Sequence, residues 1–418
     1  MINWTDKSVS LPAVVILIYS FCMNWGVAAA NDQFGIHIHY PEKLEWSDIG
    51  AGWWRLWDTH DTWALIEGSK GTYDWSSLDN HVKWAQLHNL KIVYVLAMTP
   101  QWASSRPLER SAYANGNAAP PKNIEDWGNY VRSVAARYKG RISHYEIWNE
   151  TDFPSFYSGS IDQYVDMLKE ARKQIKAIDP TAVILTPSVT GLDDLDFFER
   201  LFPKIVNSVD VISFHGYTPN SDHSKVWFPP EEVASRIKRI QEIMANNHVN
   251  IPIWNTETGY PVQIINRVAG NFGSPARVMT AYLIRSYAVN FALNVDKVFW
   301  YALDNPINGS MLLNDPASRD ISTLKAYQNF ASLTDGLLCS GRYSFSDQNI
   351  WIVPCQGSRK QVSIIWSTGK DERTIKISSA VRDIFDMYGD PKKIAGNTIS
   401  ISQEPIFVET NISPKFSN

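Results

Sequence analysis

Cysteine is scarce in this chain, with only three among 418 residues. Cys22 lies within the first thirty residues, which leaves Cys339 and Cys355 as an even pair in one apparent β-hairpin. Their spacing is unlike that of a zinc site, so a structural zinc is not expected. In an oxidising compartment such a pair forms a disulfide; the alternative is two separate buried thiols.

An excess of charge of either sign is also absent. The 39 Lys and Arg residues and 43 Asp and Glu residues leave a net charge of −4. Proteins that bind nucleic acid or anionic membranes usually carry a basic patch, so neither partner is expected. The chain has no internal repeats and no low-complexity tract, and its length allows one large core and one smaller core.

Long hydrophobic runs are missing beyond residue 30, so no membrane span is expected in the mature chain. In the first thirty residues, Lys7 precedes the apolar run Leu11–Phe21, and Ala28–Ala30 is a small-residue cleavage site. We therefore expect residues 1–30 to be a signal peptide and the protein to be periplasmic or extracellular. An uncleaved anchor is the alternative. The sequence says nothing about the oligomeric state.

Aromatic side chains, by contrast, are abundant: there are 17 Trp, 18 Tyr and 17 Phe residues. Aromatic rings fill protein cores, and their flat apolar faces with polar edges also match the C–H faces of sugars. The composition therefore favours a protein that binds carbohydrate.

Short apolar segments alternate with helical patterns over residues 31–334, which is typical of an α/β fold with a parallel sheet. The predicted strands are Phe34–Tyr40, Trp53–Asp58, Ile92–Met98, His144–Asn149, Ala182–Pro187, Asp210–His215, Ile251–Glu257 and Lys297–Leu303. Among the helices, Ile161–Ile178 carries one apolar stripe with Ser160 placed to cap it, and Asp320–Thr334 closes the series. Eight βα units predict a closed (β/α)8 TIM barrel.

Residues 335–418 show β patterns that are broken by turn residues. The strands predicted there are Asn349–Val353, Gln361–Trp366, Thr374–Ser378, Thr398–Ser402 and Pro405–Thr410. We expect a small C-terminal antiparallel β domain, similar to a sandwich, that packs on the barrel with hardly a linker.

Two of the predicted barrel strands end in a glutamate. Tyr145–Glu150 reads YEIWNE and Ile251–Glu257 reads IPIWNTE. Functional residues of a (β/α)8 barrel lie at the carboxyl ends of its strands. Glu150 on the fourth strand and Glu257 on the seventh would therefore face each other across a pocket. Two facing carboxyl groups are what glycoside hydrolysis requires.

This pattern resembles glycoside hydrolase clan A. Within the clan, Thr99–Ala103, Tyr145–Glu150 and His215–Tyr217 are most similar to family 39 and related secreted bacterial glycosidases that act on exopolysaccharides and xylan. The resemblance implies a retaining β-glycoside hydrolase that cleaves a polysaccharide or oligosaccharide without a cofactor. Glu150 would be the general acid/base and Glu257 the nucleophile. Their carboxyl groups would lie about 5–5.5 Å apart, as in retaining enzymes, instead of about 6.5–9.5 Å.

The same resemblance assigns supporting roles. Asn149 would hydrogen-bond the sugar 2-hydroxyl, and Tyr217 together with His215 would orient Glu257. Arg55 on the second strand would keep the nucleophile charged; the alternative is that Arg55 pairs with a carboxylate elsewhere for structural reasons.

Three tryptophans are further candidates for substrate contact. The resemblance places Trp300 at the floor of a sugar subsite, while Trp102 and Trp227 lie in the long segments Met98–Lys122 and Gly216–Pro230. The alternative for Trp300 and Trp102 is a place in the core. Long loops on the catalytic face can build an elongated cleft, which suits internal cleavage of a polymer. A β-xylosidase-type exo-glycosidase is the alternative.

Two other classes of protein compete with the glycosidase. Ile36–His39 places His37 and His39 on one strand face, as in the metal-dependent amidohydrolase barrels, and His215 and Asp304 extend that likeness. The fifth strand, Ala182–Pro187, lacks the histidine that such barrels need, so no metal is expected. We expect His37 to belong to an interior layer of the barrel and His39 to reach the substrate. The other class is a non-catalytic glycan-binding protein, which the presence of both glutamates disfavours.

Overall fold

The computed structural model describes residues 31–44, 49–191, 195–219, 227–268, 273–304, 321–343, 347, 349–377, 381–393, 396–412 and 414–417. The expected signal peptide, residues 1–30, lies outside the described residues. None of the described helices is both long enough and apolar enough to cross a bilayer.

Eight parallel strands form the main sheet. They are β1 Asn31–Ile36, β2 Ala51–Leu56, β3 Lys91–Leu96, β4 His144–Ile147, β5 Val183–Leu185, β6 Ile212–His215, β7 Ile253–Thr258 and β8 Lys297–Trp300. Their hydrogen-bonded order is β5-β4-β3-β2-β1-β8-β7-β6. Parallel bridges from Leu185 to Val211 and from Val189 to Phe214 join the two outer strands. The sheet therefore closes, and the predicted (β/α)8 barrel is confirmed.

The helices surround this sheet. They are α1 Trp63–Ile66, α2 Ser76–Leu87, α3 Ile124–Tyr138, α4 Ile161–Ile178, α5 Asp196–Ile205, α6 Val233–Asn246, α7 Val262–Val268, α8 Pro275–Ala292 and α9 Ser322–Leu333. Helix α4 has the predicted bounds, and Ser160 caps it through a reciprocal pair of hydrogen bonds with Gln163. The first strand is shorter than predicted, because it ends at Ile36 and leaves His37 and His39 beyond it.

An apolar layer seals the bottom of the barrel below the site. It consists of Trp53, Val93, Leu185, Val211, Trp254 and Phe299. Gly35 makes room for Phe299, since a Cβ atom at Gly35 would lie 2.2 Å from that ring. Side chains two residues apart on a strand share a face, so Arg55 and Thr256 stand directly above the apolar layer. The sequence thus places polar groups over a closed floor.

A second unit of antiparallel strands follows the barrel. They are β9 Leu338–Cys339, β10 Ile350–Gln356, β11 Gln361–Ser367, β12 Arg373–Ile377, β13 Val381–Phe385, β14 Thr398–Ile401, β15 Ile406–Thr410 and β16 Phe416–Ser417. They form a five-stranded and a three-stranded sheet around a core made almost entirely of isoleucine. The predicted antiparallel domain is confirmed, although β9, β13 and β16 were not predicted.

The β domain is attached to the barrel by specific contacts. The Trp366 indole donates a hydrogen bond to Glu231 (2.7 Å), which is also paired with Arg285 of α8. The ring of Phe407 lies 5.3 Å from that of Phe330 in α9. These contacts agree with the expectation that the domain packs directly on the barrel.

Cys339 and Cys355 are directly opposite each other in β9 and β10 and are joined by a disulfide. Of the two alternatives for this pair, the disulfide is therefore the one that the structure contains.

Candidate active site

The two predicted glutamates meet at the carboxyl end of the barrel. β4 ends at Ile147, and Trp148 and Glu150 adopt positive φ angles of 76° and 48° that turn the chain into the cavity. The Glu150 amide donates to the Ser188 carbonyl (2.8 Å), which fixes this turn. Glu257 lies inside β7. One carboxyl oxygen of Glu150 lies within 4.8 Å of one carboxyl oxygen of Glu257. This separation is short, as in retaining enzymes, and not long, as in inverting ones.

Glu257 is held by two donors. Arg55 Nη1 donates to Oε2 (2.9 Å), and the Tyr217 hydroxyl donates to Oε1 (2.7 Å). Burial raises the pKa of Glu257, while His215, Arg55 and the Tyr217 hydrogen bond act in the opposite direction. The structure therefore brings Arg55 and Tyr217 to Glu257, as the resemblance implied.

Arg55 is the hub of a buried network. Its Nε donates to Glu146 (2.6 Å), and its Nη2 donates to the Asn149 side-chain oxygen (2.8 Å) and to Ser188 (3.1 Å). Burial disfavours the charged guanidinium, but Glu146 and Glu257 raise its pKa overall, so Arg55 stays a cation. Because the Asn149 oxygen faces Arg55, its amide N–H groups remain the donors for a ligand.

Glu146 was missed from the sequence. It is fully buried, and it also accepts a hydrogen bond from Thr256 (3.0 Å). A glutamate inside the apolar strand HYEI was the available signal, because a buried carboxylate needs a charged partner.

Glu150 has a different environment from Glu257. Its Oε1 lies 2.8 Å from His215 Nδ1. Burial raises the pKa of Glu150 to about 8, Asp152 adds to this effect and Arg55 opposes it. Glu150 is therefore mostly protonated at neutral pH.

His215 contacts both carboxyl groups, although the resemblance implied only a role in orienting Glu257. Its Nδ1 faces Glu150, and its Nε2 lies 3.6 Å from Glu257 Oε2. Burial lowers the pKa of His215 to about 4, against the opposing charge of Glu257. The imidazole is thus neutral and lies between the two glutamates.

Both glutamates open into a cavity of about 1060 Å³ that is also lined by Asn149 and Tyr217. His39 and Trp227, two of the predicted substrate contacts, line it as well. The Trp227 ring packs edge-on against Tyr217, with centroids 5.7 Å apart. A single cavity therefore collects six of the predicted site residues.

Trp300 and Trp102 are not among the described residues that line this cavity, so the structure does not bring them to the two glutamates. Trp300 is fully buried, while its neighbours Phe299 and Tyr301 point into the barrel, because side chains alternate along a strand. Tyr301 therefore takes the place predicted for Trp300. The Trp102 indole instead donates to the Glu67 carbonyl (2.7 Å) and packs against Trp63.

Asp58 is a further carboxylate of the cavity that was not predicted as a site residue. It accepts hydrogen bonds from the hydroxyl groups of Tyr301 (2.8 Å) and Tyr113. Its place at the end of the second predicted strand was the available signal, since strand ends face the catalytic side.

The histidines do not assemble the metal set of an amidohydrolase. His37 Nε2 donates to the Thr256 carbonyl (3.0 Å), inside the barrel as expected, and His39 is bonded to Asp304 (3.2 Å). Over the described residues, one group places three potential metal ligands close together, namely Glu150, His215 and Glu257. The Arg55 cation is already 2.9 Å from Glu257, so this group does not suit a divalent metal.

Comparison with known sequences gives two matches of interest. The sequence profile described as glycosyl hydrolases family 39 matches residues 56–271, just over half of the 418 residues. A β-xylosidase from Geobacillus stearothermophilus is 24% identical over 192 residues, which cover 40% of this chain and 38% of that enzyme. The match thus spans well under two thirds of the relative's length.

Solved structures agree with the fold. A family 39 glycoside hydrolase from the gut symbiont Bacteroides cellulosilyticus WH2 has a TM-score of 0.69 at 16% identity, covering 91% of this chain and 81% of that chain. A monomeric β-xylosidase from Caulobacter crescentus CB15 has a TM-score of 0.63 at 14% identity, covering 91% and 96%. At such identities the likeness establishes the fold alone.

Proposed function

Because this chain belongs to glycosyl hydrolase family 39, we propose that it is a retaining β-glycosidase of the xylosidase type. The observation that carries the proposal is the pair of carboxyl groups within 4.8 Å of each other in unlike environments. Glu150 is kept protonated by burial, whereas Glu257 receives hydrogen bonds from Arg55 and Tyr217. One group can thus donate a proton while the other attacks.

In the first step Glu257 attacks the anomeric carbon and Glu150 gives its proton to the departing glycosidic oxygen. The bond between that oxygen and the sugar breaks as the ester between the sugar and Glu257 forms. In the second step Glu150, now a carboxylate, takes a proton from water, and the resulting hydroxide displaces Glu257. Two inversions leave the anomeric configuration unchanged.

Arg55 can stabilise the negative charge of the glutamate pair in both steps of the reaction. The glutamate pair carries one negative charge throughout: on Glu257 before attack, and on Glu150 while the ester exists. Arg55 is hydrogen-bonded to Glu257, and its charge also favours ionised Glu150. Glu146 holds this guanidinium in place from the opposite side (2.6 Å). The stabilising cation therefore needs no movement between the steps.

We propose a substrate longer than one sugar. The cavity of about 1060 Å³ is at the upper end of typical ligand sites, which span about 300–1,000 Å³. This size supports action on an oligosaccharide or polysaccharide, including internal cleavage, and the named relatives favour xylose units. The second candidate is an exo-acting β-xylosidase, which the same relatives favour. Product lengths from β-xylo-oligosaccharides and from intact polysaccharides separate the two.

Stereochemistry tests the proposed reaction. The protein is mixed with an aryl β-xyloside and the first sugar released is followed by proton NMR. We expect the β-anomer to appear first and the α-anomer only through later mutarotation. An α-anomer as the first product would contradict the proposal.

Two controls address the competing classes. Glu257→Ala is expected to abolish hydrolysis while glycan binding persists. Activity that survives in this variant and is removed by EDTA would favour metal chemistry. Glycan binding by a wild-type protein that hydrolyses no glycoside would favour a non-catalytic binding protein.

We also propose that the protein is exported. The disulfide between Cys339 and Cys355 supports this proposal, because such bonds persist in oxidising compartments. Mass spectrometry of the protein from its native host is expected to find a mature chain that begins at Asn31. A chain that retains Met1 and is found in the reducing cell interior would contradict it.

A further inference from the structure

Arg236 lies on the outer helix α6 and points toward the site. It is not among the described residues that line the cavity. Its Nη1 donates to two backbone carbonyls, those of His215 (2.7 Å) and Tyr217 (2.8 Å). Its side chain passes over Gly191, where a Cβ atom would lie 2.8 Å from the Arg236 Cδ and Nε atoms. Among the described residues no carboxylate lies within 4.0 Å of this guanidinium. Burial of a cation is unfavourable unless its donors are satisfied, so these two hydrogen bonds help to hold the Arg236 side chain in this position.

The two carbonyls belong to His215 and Tyr217, whose side chains contact different catalytic glutamates. The His215 ring contacts Glu150 (2.8 Å), and the Tyr217 hydroxyl contacts Glu257 (2.7 Å). One nitrogen of Arg236 therefore holds the main chain of two residues whose side chains contact the catalytic groups.

The residue between them is fixed from the opposite side. The Gly216 amide donates to the Asn255 side chain (3.0 Å) and to the Glu257 carbonyl (2.8 Å), and its carbonyl accepts from Thr258 (3.2 Å). A side chain at Gly216 is impossible here, because a Cβ atom would lie 2.1 Å from Asn255. The pairing of β6 with β7 shifts register at His215, so these carbonyls need partners outside the regular ladder.

We propose that Arg236 is a positioning residue that sets both contacts at once, His215 to Glu150 and Tyr217 to Glu257. The proposal rests on the proposed function of the two glutamates. Without the two hydrogen bonds from Arg236, the main chain from His215 to Tyr217 is no longer held on the side of α6. Both side-chain contacts are then expected to lengthen together.

The effect of losing the Arg236 hydrogen bonds on the pKa values of the two glutamates depends on the charged and titratable groups around them. Glu150 contacts His215 and is acted on by the charges of Asp152, Asp58 and Arg55. Glu257 is acted on by Arg55, His215, Tyr217 and Glu150. Among the described residues, the charge of Asp152 acts on Arg236, and Asp152 is itself bound to Thr190 and the Gly191 amide. None of these other groups is held by Arg236 in the described structure.

The two contacts favour opposite protonation states. The Tyr217 hydroxyl donates to Glu257 and so favours its carboxylate. His215 Nδ1 lies 2.8 Å from Glu150, whereas Nε2 lies 3.6 Å from Glu257. When the N–H of the neutral ring is on Nε2, Nδ1 accepts the proton of Glu150. That bond favours protonated Glu150. Weakening both contacts raises the pKa of Glu257 and lowers the pKa of Glu150.

The test compares Arg236→Met with Arg239→Met. Arg239 is a partly exposed arginine on the same helix that pairs with Glu199 and Glu242. We expect Arg236→Met to lower kcat about ten- to hundredfold, in line with the cost of misplacing reacting groups. In its bell-shaped profile of kcat/KM against pH, the acidic limb should move to higher pH and the basic limb to lower pH, so the profile becomes narrower. Arg236→Lys keeps a cationic donor and should restore part of the rate and width. Arg239→Met should resemble wild type.

A second measurement does not depend on activity. Nitrogen-15 NMR of histidine side chains, with the His215 signals assigned through His215→Asn, reports the tautomer of that ring. We expect these signals to move in Arg236→Met and to stay in Arg239→Met. Unmoved His215 signals, or a profile of unchanged width in a variant that loses only thermal stability, would overturn the proposal. If wild type hydrolyses no glycoside, the proposed function fails, and the NMR comparison still decides the role of Arg236.

Discussion

Glu150→Gln should make the protein more stable at neutral pH while it abolishes most of the activity. The folded state raises the pKa of Glu150 from the ordinary 4.5 to about 8, chiefly through burial. A folded-state pKa above the unfolded value means that folding retains a proton which the unfolded chain releases. The stability of the wild type therefore falls as pH rises from about 4.5 to about 8.

The size of the effect follows from that interval. Each pH unit between 4.5 and 7 costs about 1.36 kcal/mol of unfolding free energy, so the penalty at pH 7 is about 3 kcal/mol. Glutamine resembles the protonated acid in shape and can still donate to His215, but it cannot ionise. We therefore expect the variant to exceed wild type by about 3 kcal/mol at pH 7 and to match it near pH 4.

The assay is equilibrium unfolding in urea, followed by tryptophan fluorescence at several pH values from 4 to 8. Glu242→Gln, at an exposed glutamate of α6, is the matched control, and its difference from wild type should stay below about 1 kcal/mol, as for an exposed ion pair. A gain for Glu150→Gln that does not change with pH, or a loss at pH 7, would refute the reasoning about burial.

Three further predictions concern single contacts. Tyr217→Phe removes a donor to a buried carboxylate, worth about 1.5–3 kcal/mol, so the acidic limb of kcat/KM should move up by about 1–2 pH units; an unmoved limb would count against the contact. Asn149→Ala should lower kcat/KM about ten- to hundredfold on a xyloside and far less on its 2-deoxy analogue; equal losses would exclude the 2-hydroxyl as its target. Replacing Cys339 and Cys355 by alanine should lower the unfolding free energy by about 3 kcal/mol and leave kcat unchanged. Dithiothreitol should bring the wild type to the same stability, and a reductant-insensitive wild type would contradict this.

The barrel and its two glutamates could be read from the sequence because both depend on local patterns. Strands buried on both faces read as short apolar runs, and a polar residue at the end of such a run is conspicuous. Tyr145–Glu150 and Ile251–Glu257 each combine the two signals. Helix α4 was equally legible, since its apolar stripe and its cap lie within one segment.

Residues whose role depends on distant partners could not be read in this way. The resemblance to family 39 implied that Trp300 forms the floor of a sugar subsite, but strand alternation gives that place to Tyr301. Glu146 and Arg55 lie 91 positions apart and meet only when the barrel closes. Arg236 is a single cation on an amphipathic surface helix, a position that ordinarily signals solvent exposure.

The most direct test of the account is to trap the nucleophile. A 2-deoxy-2-fluoro-β-xyloside with an activated leaving group should form a long-lived ester with the protein, because fluorine slows both steps and the leaving group restores the first. Peptide mapping by mass spectrometry is expected to place the added sugar on Glu257, with no adduct in Glu257→Ala. An adduct on any other residue, or hydrolysis of ordinary β-glycosides that never forms one, would contradict the assignment of Glu257 and Glu150.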